Sequence, residues 1–216
     1  MVRQAFYILC SAAYGCIEVF REVNMGRKQK WKSGNMLYPV PAVMLSCGRA
    51  DEKPNIITVA WAGTVCSDPV MVSVSLRPQR YSYGIIKETG EFVLNLTNEK
   101  LVRAADLCGV RSGRDIDKFK ACGLDARAAF CLKDAPVISQ SPLSLECRVR
   151  EIIPLGSHDM FLSEVVCVDA DERYLDENGR FDFDAARLIA YSHGAYMSLG
   201  ETLGSFGFSV RKKIRN

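Results

Sequence analysis

The sequence predicts a mainly β protein with helical insertions, its strands closing into an antiparallel barrel. Three observations carry that prediction. Six or seven segments read as strands, whereas helical spacing is confined to short stretches. Strands and helices do not alternate regularly, as a parallel βαβ sheet would require. No GxGxxG follows any strand, so a Rossmann-type dinucleotide site is not indicated.

At 216 residues, 48% hydrophobic and 25% charged, the chain can bury one sizeable core, and a single domain over residues 31–216 is expected. The net charge of +3 is unevenly spread: residues 25–32 and 211–216 carry +4 each, which leaves −5 on residues 33–210. The body has no basic stripe interleaved with aromatics, so the basic ends read as solvating rather than as a nucleic-acid surface.

The nine cysteines, an odd number, show no pairing rhythm, no CxxC and no clustering with histidine. A reduced, cytoplasmic setting, no metal, and cysteines used mostly as small core residues are therefore expected. Residues 1–30 read as an N-terminal extension. Arg3 and the apolar run after it are too short for a membrane span and are interrupted by Glu18. An amphipathic helix, or translated sequence upstream of a start at Met25, are the two readings.

From Trp31 to Pro41 the chain is loop-like. Strands follow at 42–47, 55–62, 70–76 and 91–97, with a charged turn from Gly48 to Pro54. In residues 70–76, Val70, Val72, Val74 and Leu76 share one face, while Met71, Ser73 and Ser75 take the other. Arg77-Pro78-Gln79-Arg80 turns the chain into a helix opening at Tyr81-Ser82 and ending at Gly90, with Ser82 as candidate N-cap. A helix N-terminus flanked by arginines offers what a phosphate group needs.

Glu99–Leu107, closed by Gly109, and Asp115–Ala121 have helical spacing, and their charges read as a solvated face. Leu143, Leu145, Cys147 and Val149 alternate with polar residues as a long strand; Pro154-Leu155-Gly156 turns it, and His158 to Asp169 returns. Residues 170–185 are acidic and turn-rich.

With PAVMLSCG before the 55–97 stretch and PLGSHDMFLSEVV after it, the chain resembles the flavin reductase-like family, and within it the flavoredoxin branch, from about Gly34 to Val210. The resemblance implies an antiparallel split β-barrel, the FMN-binding split barrel, Greek-key-like. It implies non-covalent FMN as cofactor, NADH or NADPH or else a protein as the electron donor, and a homodimer with the flavin near the interface. The 143–168 hairpin and the apolar face of 70–76 are expected to contribute to that interface. No nucleic acid and no membrane partner is implied.

The flavin phosphate is then assigned to Ser75, Leu76, Arg77, Arg80 and Ser82, with a surface ion pair as the other reading of either arginine. The ring edge is assigned to Ala60, Trp61 and Ala62 and to a turn formed by Thr64, Val65, Cys66 and Ser67, largely through backbone groups. Trp61 reads equally as a core tryptophan. The family often carries Gly-Asp-His where this chain has Gly156-Ser157-His158, so His158 is the candidate catalytic residue for receiving the donor. A histidine satisfied by its neighbours is the alternative. His193 is a weaker candidate for the same pocket.

The leading expectation is an FMN-dependent oxidoreductase passing electrons to a small acceptor or partner protein. A non-catalytic electron-transfer module and a cofactor-free barrel with a structural role are the alternatives.

Overall fold

The computed structural model describes residues 27–211. The expectations for residues 1–24 and for the basic end at 212–216 lie outside the described residues. Residues 27–35 are exposed and without regular structure.

From Met36 onward the elements are β1 (Val40–Pro41), β2 (Val43–Cys47), β3 (Asn55–Val59), β4 (Ala62–Ser67), β5 (Val70–Leu76), α1 (Tyr81–Thr89) and β6 (Glu91–Leu96). A 3-10 turn then leads into α2 (Val102–Val110), followed by α3 (Lys118–Cys122), β7 (Ala126–Arg127) and β8 (Val137–Ile138). The long hairpin β9 (Leu143–Pro154) and β10 (Asp159–Ala170) comes next, then α4 (Phe183–Ala186), β11 (Ile189–Ser192) and β12 (Ala195–Ser198).

Seven strands form one antiparallel sheet in the order β3-β2-β6-β9-β10-β5-β4, the split barrel expected from the sequence. Its interior holds Leu45, Ile57, Val74, Leu76, Ile86, Phe92 and Phe161. Val72, Val74 and Leu76 are buried here, so the apolar face of 70–76 is spent on the chain's own core and is not available to a second subunit; only Val70 of that set is exposed. A second cluster packs α2 and α3 against the back of the barrel through Met44, Ile56, Ala105, Cys108 and Phe119.

Helix α1 stops where the sequence indicates: Gly90 takes the left-handed conformation, φ 70°, and its N–H closes on the Ile86 carbonyl. Other boundaries differ. The strand expected over 55–62 breaks at Ala60-Trp61, and the expected turn at Thr64–Ser67 is part of β4, laddered to β5 from Ala62↔Val74 to Ser67↔Val70. The turn falls instead at Asp68-Pro69, where proline removes a ladder donor. Helix α2 runs past Gly109 to Val110.

The strands β11 and β12 had no counterpart in the sequence reading. His193-Gly194 joins them as a two-residue turn with φ 45° and 96°, both in the left-handed region that such hairpins require. Among the described cysteines only Cys47, Cys108 and Cys147 are buried; Cys131 is exposed and the rest are half-buried, so they are not mostly core residues. No described helix is long and apolar enough to cross a membrane.

Candidate functional site

Where β5 ends and α1 begins, two cavities adjoin and share Ile57, Arg77 and Arg80. Their volumes, about 400 and 580 Å³, lie in the range of small-molecule sites. Their chemistry differs sharply.

The smaller cavity is basic. Arg77 and Arg80 come from the turn, Arg111 and Arg114 from the α2–α3 loop, and Lys118 from the start of α3. The N-cap of α1 is Arg80, with no side chain capping the helix; the Tyr83 N–H bonds to the Arg80 carbonyl at 3.0 Å, while those of Tyr81 and Ser82 have no partner among the described residues. Ser82 is therefore not the N-cap. It is the second residue of the helix, buried, and its hydroxyl accepts a hydrogen bond from Asn55 Nδ2 at 2.7 Å. Neither Arg77 nor Arg80 is in an ion pair among the described residues, so the surface-ion-pair reading does not hold.

The opposite wall needs glycine. A Cβ on Gly113 would lie 2.0 Å from Asn55 Oδ1 and 2.9 Å from the Tyr81 ring, so only a residue without a side chain lets the loop close on Asn55. Arg114 stacks its guanidinium over Tyr81, 5.3 Å from the ring centroid.

Lys118 is one of the lining residues the sequence reading missed, with Arg111, Arg114, Tyr38, Tyr191 and Tyr196. The Asp115–Ala121 stretch was expected to be solvated, yet Lys118 is buried, and its ammonium donates to the Ile56 carbonyl at 2.6 Å and the Cys108 carbonyl at 2.8 Å. Burial, more than any neighbour, lowers its pKa. No carboxylate pairs with it among the described residues, and an ammonium has a third proton to give. One signal was available: a cation in the first turn of a helix opposes the dipole there, which calls for another reason to hold it.

The larger cavity is aromatic, walled by Tyr38, Trp61, His158, Tyr191 and Tyr196 beside Ala60, Ser75 and Leu76. Trp61 occupies the break between β3 and β4, where its carbonyl accepts from the Ser75 N–H at 2.9 Å. Its ring meets His158 edge to face, centroids 4.8 Å apart, so it is a cavity wall and not a core residue.

His158 immediately precedes β10. Its Nδ1 and the Ser157 hydroxyl share a hydrogen bond of 2.9 Å. Burial first, then the charges of Arg77 and Arg80, hold its pKa below the ordinary imidazole value. Tyr191 and Tyr196 stand opposite each other on β11 and β12, centroids 5.5 Å apart. Burial, with the Asp106 carboxylate beside it, pushes the Tyr196 phenol up to about 12.

The fold thus brings together Ala60, Trp61, Ser75, Leu76, Arg77, Arg80, Ser82 and His158 around the two cavities. It does not bring the others. Ala62 packs on the core at the start of β4, while Thr64, Val65, Cys66 and Ser67 continue along that strand, outside the lining of either cavity. The Cys66 thiol donates to the Asp68 carbonyl at 3.4 Å. His193 lies in the exposed β11–β12 turn against Tyr38, 5.6 Å away, rather than in the cavity wall.

Residues 35–200 match the flavin reductase like domain. The flavoredoxin of Desulfovibrio vulgaris (Miyazaki F) superposes with a TM-score of 0.79 at 30% identity, over 86% of this chain and 100% of that one. The flavoredoxin from Methanosarcina acetivorans gives 0.78 at 27% identity with the same coverage. An FMN-binding protein from Thermus thermophilus gives 0.69 at 25% identity, over 83% of this chain and 98% of that one. With more than half its length matched to the domain, and with that domain's split barrel as its fold, the chain belongs to the flavin reductase-like family.

Proposed function

We propose that this protein binds FMN non-covalently, phosphate in the basic cavity and ring in the aromatic one, and works as an FMN-dependent oxidoreductase. One observation carries the reading: a strongly cationic chamber and an aromatic chamber of suitable volume share a wall at Arg77 and Arg80. A ligand with an anionic tail and a flat conjugated head fits that pair. The FMN-binding relative from Thermus thermophilus supports the choice of flavin.

When bound, the flavin supplies the redox chemistry, accepting and passing on electrons. The chain's own residues bind and orient. Arg77, Arg80, Lys118 and the uncapped start of α1 fix the anionic tail by charge and by N–H donation. The Trp61 backbone, tied to Ser75, sets the ring-side wall, and the small side chain at Ala60 permits close approach. His158, whose pKa is lowered by burial and by Arg77 and Arg80, would meet a nicotinamide of NADH or NADPH; a protein donor is the other source of electrons.

We further propose that two chains pair. The edge strand β4 exposes Thr64 and Val65 beside Val70, and Leu199, Leu203, Phe206, Phe208 and Val210 expose apolar surface in the C-terminal segment. On this reading Thr64–Ser67 belong to the subunit contact rather than to their own chain's cavity.

The test is an absorption spectrum of the purified protein followed by anaerobic titration with NADH and NADPH. Bound FMN bleached by either nucleotide supports the enzyme. Flavin reduced only by a protein donor supports the electron-transfer module, and protein with no affinity for FMN removes both.

A further inference from the structure

Away from the two cavities, one face of the β9–β10 hairpin carries a cluster of thiols and carboxylates that flavin binding does not use. Cys167 on β10 stands directly opposite Glu146 on β9, and Asp169, two residues further along, shares its face. The 128–136 loop folds over them. Its Phe130 and Cys131 N–H groups donate to the two Glu146 oxygens, both at 2.7 Å. That anchorage brings in the Cys131 sulfur, so that both sulfurs and a Glu146 oxygen lie within 4.8 Å of one another.

The charge in this cluster is unbalanced. Glu146 is fully buried, yet no cationic side chain pairs with it among the described residues. Asp169 is 8% exposed; its Oδ2 accepts from Arg127 Nη2 at 3.0 Å, but its Oδ1 is buried without a hydrogen-bond partner among the described residues. Of the two guanidiniums at the cluster, Arg127 meets Asp169 while Arg148 donates to the Cys131 carbonyl at 2.8 Å, so neither pairs with Glu146, and a buried acceptor left unpaired is unfavourable.

We propose that Cys131, Glu146 and Cys167, with Asp169 as fourth donor, bind a thiophilic divalent cation, zinc before others. Two sulfur donors disfavour magnesium and calcium, whereas zinc accepts mixed sulfur and oxygen ligands in a tetrahedron. Zinc–sulfur bonds of about 2.3 Å place two ligand sulfurs roughly 3.8 Å apart. The Cys131, Glu146 and Cys167 donors, already inside 4.8 Å of one another, close on the ion with small side-chain movements, and Asp169 would join through its unpaired Oδ1. The two backbone N–H groups on Glu146 act as the supporting shell, leaving a lone pair on each oxygen for the metal. Binding converts two thiols to thiolates and releases their two protons to solvent, with no change of oxidation state. The ion fastens the 128–136 loop to the barrel wall. The spacing 131, 146 and 167 matches no sequence motif, because only the hairpin register and the loop bring these positions together.

The test uses the full-length protein, fully reduced, titrated with zinc and in parallel with cobalt. One equivalent of zinc per chain, two protons released, and a cobalt difference spectrum with thiolate charge-transfer bands are expected. Cys131→Ser, at an exposed position, and Cys167→Ser each weaken zinc binding about a hundredfold or more. Cys122→Ser, which disrupts the separate Cys108–Cys122 contact of 3.9 Å, leaves zinc binding unchanged. Circular dichroism confirms that each variant is folded, and the wild-type cobalt spectrum decides the matter if one is not. A reduced wild type that takes up no zinc, cobalt spectra without thiolate bands, or binding indifferent to Cys131→Ser overturns the proposal. So does a Cys131–Cys167 pair whose sole chemistry is a disulfide.

Discussion

The two chambers of the candidate site are built by opposite means. The basic chamber is held from behind by buried polar contacts: Asn55 on Ser82, Lys118 on two backbone carbonyls, and a glycine that lets the loop close. The aromatic chamber is assembled from rings that touch edge to face on separate elements, with Trp61 and the tyrosines still partly exposed. Polar contacts of that kind lose much when one partner goes, whereas aromatic contacts fail gradually. The basic chamber should therefore set affinity, and the aromatic one the course of the reaction.

The severest challenge to that division is Lys118→Met. It removes a cation and strands the Ile56 and Cys108 carbonyls, so stability should fall by about 3 kcal/mol and FMN affinity by about a hundredfold. Thermal unfolding and flavin-fluorescence titration read the two effects separately. An unchanged FMN affinity would detach Lys118 from the site.

Next in size is Arg77→Ala or Arg80→Ala. Both residues are exposed and in no ion pair among the described residues, so each substitution should weaken FMN about tenfold, more at low salt, with stability within ~0.5 kcal/mol of wild type. A large stability loss would mean that these arginines hold the fold rather than a ligand.

His158→Gln probes the other chamber. FMN binding should change less than about threefold, while the rate of reduction by NADH or NADPH falls about tenfold, measured by anaerobic stopped flow. Equal losses in binding and rate would erase the contrast between the chambers.

The gentlest probe is pH. The chain has two histidines, so the His158 ring signal is readable by NMR with a His193 variant for assignment. Without ligand it should titrate below the ordinary imidazole value, since burial and the two arginines disfavour its charged form. Inorganic phosphate offsets those arginine charges and should move the midpoint upward. Binding then takes up a proton, so phosphate affinity falls as pH rises through that window.

Much of this architecture was legible in the chain. The β9–β10 hairpin declared itself by two-residue alternation, and α1 by Gly90, because each rests on local geometry. The lining of the candidate site was legible where it follows one short segment, Ser75 to Ser82. It was hidden where it depends on pairing at a distance. Whether 64–67 turns or ladders is decided by β5, and nothing local announces that Lys118 will point inward onto carbonyls of β3 and α2. The buried Glu146 was hidden for the same reason: alternation placed it on the polar side of β9, and the loop that covers that side comes from residues 128–136.

The sharing of Arg77 and Arg80 between the chambers bears on ordinary handling at the bench. A small oxyanion such as phosphate or sulfate is complementary to the cationic compartment alone, and on the proposed reading it would compete there with the tail of FMN without resembling its head. Preparations kept in phosphate buffer should come off columns paler than those kept in a zwitterionic one, and their colour should return on dialysis with added FMN.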